Sequence, residues 1–174
     1  MNFLPVVDAL QTSTIYQKVC LLLHLIAFVF HIVGFFCPNW SHNGRRNSGL
    51  WRECQFVLFT TFCNDVLDRD DVEDWLRATQ FFETIGLIAI GIAAAILFLS
   101  LVLQSLRNKK IVTILNALTC FVACGTIIVG AIIYASRGYN RSYLSWAFAL
   151  CIVGAILEGV AGVLILVGSF ANRS

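Results

Sequence analysis

The chain has 174 residues, 59% of them hydrophobic and 13% charged, with a formal net charge of +2. Soluble domains carry about 25% charged residues, so this composition excludes an ordinary water-soluble fold. The net charge says nothing about nucleic acid, but there is no basic tract interleaved with aromatics, and no nucleic-acid partner is expected. Apolar runs at about 19–37, 81–103, 111–134 and 144–170 each reach the roughly 20 residues a helix needs to cross about 30 Å of hydrocarbon, which predicts one membrane domain over residues 1–174.

Residues 1–18 form a mildly amphipathic lead-in with Phe3, Leu4, Val6, Val7 and Leu10, read as a partly ordered tail rather than a helix along the inner leaflet. The run that follows does not fit a cleaved signal peptide. Asp8 and Lys18 make a poor n-region, the run is too long, and Cys37-Pro38-Asn39 is no small-residue cleavage site. It is read as a retained first span. Cys20 at its mouth is a candidate for S-palmitoylation, with a free buried thiol the preferred reading. Cys20 and His24 stand one helical turn apart, a nominal metal-ligand spacing, but two ligands do not make a site. No metal or other cofactor is expected, and His24 and His31 are read as histidines satisfied inside a helix bundle.

The first loop, 38–80, opens after Pro38. Turn signals at Asn43-Gly44 and Asn47-Ser48-Gly49 separate short strands. Cys54 and Cys63 bracket a segment in which Phe56, Leu58 and Thr60 alternate with Gln55, Val57 and Phe59, so a hairpin closed by a Cys54–Cys63 disulfide is expected. Such a bridge contributes about 2–3 kcal/mol, mostly by restricting the unfolded chain, and implies an oxidising compartment. Asn39-Trp40-Ser41 matches a glycosylation acceptor but abuts the membrane and is discounted.

The order Trp40, Gly49-Leu50-Trp51, Cys54, Cys63, with Arg52-Glu53 between Trp51 and the first cysteine, resembles the first loop of the claudin superfamily. That group includes claudins, peripheral myelin protein, the epithelial membrane proteins, lens fibre membrane protein and auxiliary subunits of AMPA receptors. The resemblance covers nearly the whole chain and is strong at 40–63. It implies a small outer antiparallel sheet standing on the bundle, with Trp40, Gly49, Leu50 and Trp51 packed at its base near the membrane surface, where tryptophan is favoured.

Between Asn64 and Gln80 the chain turns acidic, with Asp65, Asp68, Asp70, Asp71, Glu73 and Asp74. The spacing lacks the alternating ligands and central glycine of an EF-hand loop. A solvated helical lead-in, starting near Asp70 or Asp71 with acids in its first turn, is the main reading. In channel-forming claudins, charged side chains just after the second cysteine face the paracellular pore. By that resemblance Asp65 and Asp68 are candidate pore-facing residues that favour cations. In the second span, Gly86, Gly91, Ala93, Ala94 and Ala95 are small, and the Gly91–Ala95 spacing is read as a close helix–helix contact. The third span carries Cys120 and Cys124, read as packing residues. It ends Ile133-Tyr134-Ala135-Ser136-Arg137, which resembles the exit of the epithelial membrane and peripheral myelin branch.

The second outer loop, 135–143, is short, and its sequon Asn140-Arg141-Ser142 lies so near the bilayer that occupancy is doubtful. Glu158 is the telling residue of the fourth span. A mid-membrane carboxylate costs about 3 kcal/mol or more, so it must face the bundle, with Gly154 and Gly162 on its face. His24 lies at matching depth on the first span, so a His24–Glu158 contact is expected. A proton or ion relay is the sharper reading of that pair, and polar glue between helices is the favoured one.

The expected fold is therefore a membrane all-α protein: a four-transmembrane-helix up-down bundle with a small disulfide-closed extracellular antiparallel β-sheet. Arg107, Lys109 and Lys110 lie in the inner loop 104–110, and Lys18 and Arg173 near the termini. Arg45, Arg46, Arg52, Arg69, Arg77, Arg137 and Arg141 lie opposite, so the positive-inside count points the other way. The cysteine pair and the family resemblance nevertheless place both termini in the cytosol and the chain in the plasma membrane. No phosphate loop, zinc set or catalytic triad is present, and no enzyme is expected. The expected role is structural, at cell–cell junctions: adhesion, or a paracellular barrier or channel, with this chain or related tetraspan proteins as partners in cis and trans. The alternative is an accessory subunit binding another membrane protein laterally. The sequence closes Ala171-Asn172-Arg173-Ser174 without a hydrophobic PDZ-binding end, so PDZ scaffolds are not expected as partners.

Overall fold

The computed structural model describes residues 15–58, 60–68, 72–107, 109–137 and 144–171. The lead-in 1–14, Asp70, Asp71 and the sequon asparagine Asn140 lie outside these residues. The main elements are α1 (Ile15–Phe36), β1 (Ser41–Asn43), β2 (Arg46–Ser48), β3 (Arg52–Val57), β4 (Thr60–Asp65), α2 (Asp74–Val102), α3 (Lys110–Arg137) and α4 (Trp146–Ala171). A 3-10 turn, Val66–Asp68, follows β4, and a single helical turn, Gln104–Arg107, links α2 to α3.

Local chemistry sets the helix ends. α1 stops two residues before Pro38, whose ring disfavours helical backbone in the residue preceding it. α2 starts at Asp74 behind Glu73, later than Asp70 or Asp71, with an acid in the first turn where the helix dipole favours negative charge. α3 closes on Arg137, a cation in the last turn. α2 and α3 extend past the apolar runs at both sheet-side ends, because polar residues such as Arg77 and Ser136 continue the helix without breaking its hydrogen bonding.

α2 packs along α3, α1 along α4, and α3 along α4, with a slighter α1–α2 contact. The sheet meets the C-terminal ends of α1 and α3 and the N-terminal ends of α2 and α4, so successive helices run in opposite directions. All four helices are long and apolar enough to cross a membrane. Their outward faces are apolar, with Leu22, Leu25, Ile88, Leu118, Ile132 and Ile156 more than half exposed, whereas His24, His31, Glu83 and Glu158 are wholly enclosed. Polar inside and apolar outside is the inverse of a water-soluble bundle and defines a multi-pass membrane protein.

The small-residue contact lies on a different stripe of α2 from Gly91–Ala95. A Cβ at Gly91 would meet nothing within 4 Å, and Ala95 is exposed. The close approach is at Gly86, where a Cβ would overlap the Ile127 side chain, and continues through Ala89, Ile90 and Ala93. Around Glu158, Gly154 brings α4 against the Ala27 carbonyl of α1, and Gly162 brings it against Cys120 of α3.

The sheet is a four-stranded antiparallel meander in the order β1-β2-β3-β4. Cys54 and Cys63 sit directly opposite each other in the β3–β4 register and are disulfide-bonded. An antiparallel bridge from Ser41 to Leu144 ties the β1 edge to the segment before α4.

Candidate functional site

The sheet is fixed to the bundle by the tryptophan and Gly-Leu-Trp residues. Trp40 is fully buried. Its indole N–H donates to the Gly34 carbonyl of α1 at 2.7 Å, and its ring stands edge-on to Tyr134 at 4.8 Å and Phe148 at 5.5 Å. The Trp40 carbonyl accepts the Ser145 N–H at 2.9 Å, which fixes the start of α4. Leu50 is also fully buried, and its carbonyl accepts from the Gln80 side-chain amide of α2 at 2.6 Å. Trp51 is half-buried against Phe35 at 5.2 Å. Gly49 is required by crowding, since a Cβ there would lie 2.6 Å from both the Cys37 carbonyl oxygen and Pro38 Cα. Tyr134 joins these parts: its ring contacts Trp40, Trp75 and Phe148, and its hydroxyl lies 3.0 Å from Ser41 Oγ.

The far end of the sheet is free. The alternation along β3 and β4 selects no buried face, because beyond Cys54 the hairpin projects past the bundle. Phe56, Val57, Leu58 and Phe62 are 50%, 38%, 85% and 61% exposed. Phe56 pairs with Thr61 and Phe62 with Gln55, so the two phenylalanines stand on opposite faces and the tip is apolar on both. Leu58 has φ +45, a left-handed conformation that costs a residue with a Cβ about 1 kcal/mol. Asp65 and Asp68 line a cleft of about 750 Å³ with Arg46, Glu53 and Phe62. Asp65 accepts from Arg52 Nε at 2.9 Å in an exposed ion pair, and Asp68 is exposed on the 3-10 turn.

Inside the bundle the fully buried histidines and glutamates gather in two clusters. In one, His24 Nδ1 lies 2.9 Å from Glu158 Oε2, both side chains fully buried, with Cys120 beside them. In the other, His31 Nε2 lies 3.2 Å from the Glu83 carbonyl oxygen, and Cys151 of α4 completes the group. Cys20 is buried, with its thiol 3.7 Å from the Ala161 carbonyl. Glu83 and Cys151 are buried polar residues that the apolar runs conceal. The signal for Glu83 is an acid just inside the run that opens at Phe81, the same signal that marks Glu158. Against known proteins, no family model matches the chain and no curated protein matches it.

Proposed function

We propose that this chain is a claudin-like structural protein of the plasma membrane, with both termini cytosolic, that makes contacts between neighbouring cells through its first loop. The observation that carries the reading is the hairpin tip: apolar on both faces, presenting a strained Leu58, and held on a sheet that is buried and hydrogen-bonded at its base. Exposed apolar residues contiguous on one element are the mark of an interaction site, and retained backbone strain adds to that mark. The Cys54–Cys63 disulfide supports an outer, oxidising placement of the sheet.

The test is a mixed culture of junction-free cells, some expressing a tagged chain and some not. Enrichment is expected only at contacts where both neighbours express it, and a uniform surface signal would overturn the adhesive reading. Leu58→Gly separates function from folding. Glycine relieves the left-handed backbone, so stability in detergent should hold or rise by up to about 1 kcal/mol, while enrichment at shared contacts falls.

A paracellular channel extends the same reading, with Asp65 and Asp68 beside the conduction path. Because Arg52 is bound to Asp65, Asp65→Asn both removes a negative charge and frees a positive one. Dilution potentials across expressing monolayers are expected to show cation preference in the wild type and a shift toward anions in the variant; unchanged selectivity would remove Asp65 from the path. Lateral binding of another membrane protein is the second reading, favoured by the shallow apolar groove of about 340 Å³ between α2 and α3, lined by Ile88, Ile92, Leu118 and Val122. Crosslinking in the membrane through this groove distinguishes it from adhesion at the tip.

A further inference from the structure

His31 of α1, Glu83 of α2 and Cys151 of α4 converge in the half of the bundle nearest the sheet, each fully buried, with one ligand atom from each lying within 4.8 Å of the others. The three side chains make no hydrogen bond to one another. Neither carboxylate oxygen of Glu83 has a hydrogen-bond partner among the described residues, and neither does His31 Nδ1. Glu83 Oε2 is 3.6 Å from His31 Nε2, beyond hydrogen-bonding distance. The companion cluster has the same composition, His24, Cys120 and Glu158, but there histidine and carboxylate close directly at 2.9 Å. His24 Nε2 and Glu158 Oε1 also lack a hydrogen-bond partner among the described residues, but of the two carboxylates only that of Glu83 accepts no hydrogen bond at either oxygen.

We propose that His31, Glu83 and Cys151 bind one divalent, thiol-seeking cation of the zinc type. Charge favours it: a neutral imidazole, a carboxylate and a thiolate around a doubly charged ion sum to zero, a unit an apolar bundle tolerates far better than an unpaired carboxylate. Gly34 and Gly130 let α1 and α3 pack directly against the cluster: a Cβ at Gly34 would lie 2.5 Å from Cys151 Sγ, and one at Gly130 would lie 2.7 Å from Glu83 Oε1. Three protein ligands leave a fourth position for water or a further donor. The site stands independently of the adhesive reading, since it rests on the bundle and makes no use of the hairpin.

The test uses the full chain in lipid nanodiscs, stripped with chelator and titrated with cobalt(II) as a spectroscopic probe. The expected result is uptake of one cobalt per chain with a thiolate-to-cobalt charge-transfer band, and a melting temperature that rises with free cobalt because only the folded state offers the assembled ligands. Cys151→Ser should abolish the band, Glu83→Gln should weaken binding at least about tenfold, and Cys120→Ser should change neither. Folded wild-type chain that takes up no stoichiometric cobalt would overturn the site. So would a band that survives Cys151→Ser or vanishes with Cys120→Ser. Glu83→Gln keeps the shape of the side chain and decides the matter if the serine variant does not fold.

Discussion

Trp40→Ala is expected to lower stability by about 3–5 kcal/mol and to deplete the chain from the cell surface. Trp40 has no exposed area, and its ring is held by Tyr134 of α3 and Phe148 of α4, while its indole N–H bonds a carbonyl of α1. Truncation removes one body that touches three helices at once and leaves the Gly34 carbonyl without its donor. Against the roughly 5–15 kcal/mol that separates folded from unfolded states in ordinary domains, such a loss is decisive. Trp40→Phe divides the effect: most of the apolar volume stays and the hydrogen bond goes, at about 1–2 kcal/mol. Melting in detergent and surface biotinylation read both variants. Near-wild-type values for Trp40→Ala would mean that the sheet is held by Leu50 and the Ser41–Leu144 bridge instead.

The sheet's attachment was legible because it depends on rare residues in fixed order. Trp40, Gly49, Leu50 and Trp51 each do something a substitute does poorly, and the cysteine pair marks the register of the hairpin it closes. The helix interior was legible only where a polar residue broke an apolar run. Glu158 and His24 did so at matching depth, and they meet. Glu83 stands close to the start of its run and is not among the residues expected from the sequence, yet α2 begins at Asp74, roughly two and a half turns earlier, which carries Glu83 well inside the bundle. Gly91 and Ala95 show the opposite difficulty. A helix that is apolar on every side gives no phase, so its small residues cannot be sorted into inward and outward ones from spacing alone. The hairpin tip departs from its alternation for a related reason: strand periodicity reports a buried face only where something covers that face.

The His24–Glu158 contact separates glue from relay through energetics. Both side chains are fully enclosed and 2.9 Å apart, flanked by Gly154 and Gly162, which bring α1 and α3 close to α4. Removing one partner leaves the other buried without its bond, so His24→Ala and Glu158→Ala are each expected to cost about 3–5 kcal/mol. The double variant is expected to cost less than their sum by about 1–3 kcal/mol, the coupling typical of residues in direct contact. Glu158→Gln keeps an acceptor for the ring N–H and should retain most of the stability. Melting of the set in one detergent measures the coupling, and additive single costs would show that the contact contributes no energy of its own. The glutamine variant carries the rest of the distinction. A pair that only joins helices tolerates a neutral amide, whereas a group that must take up and release a proton does not. Wild-type localisation and contact behaviour in Glu158→Gln would therefore assign the pair to the architecture of the bundle.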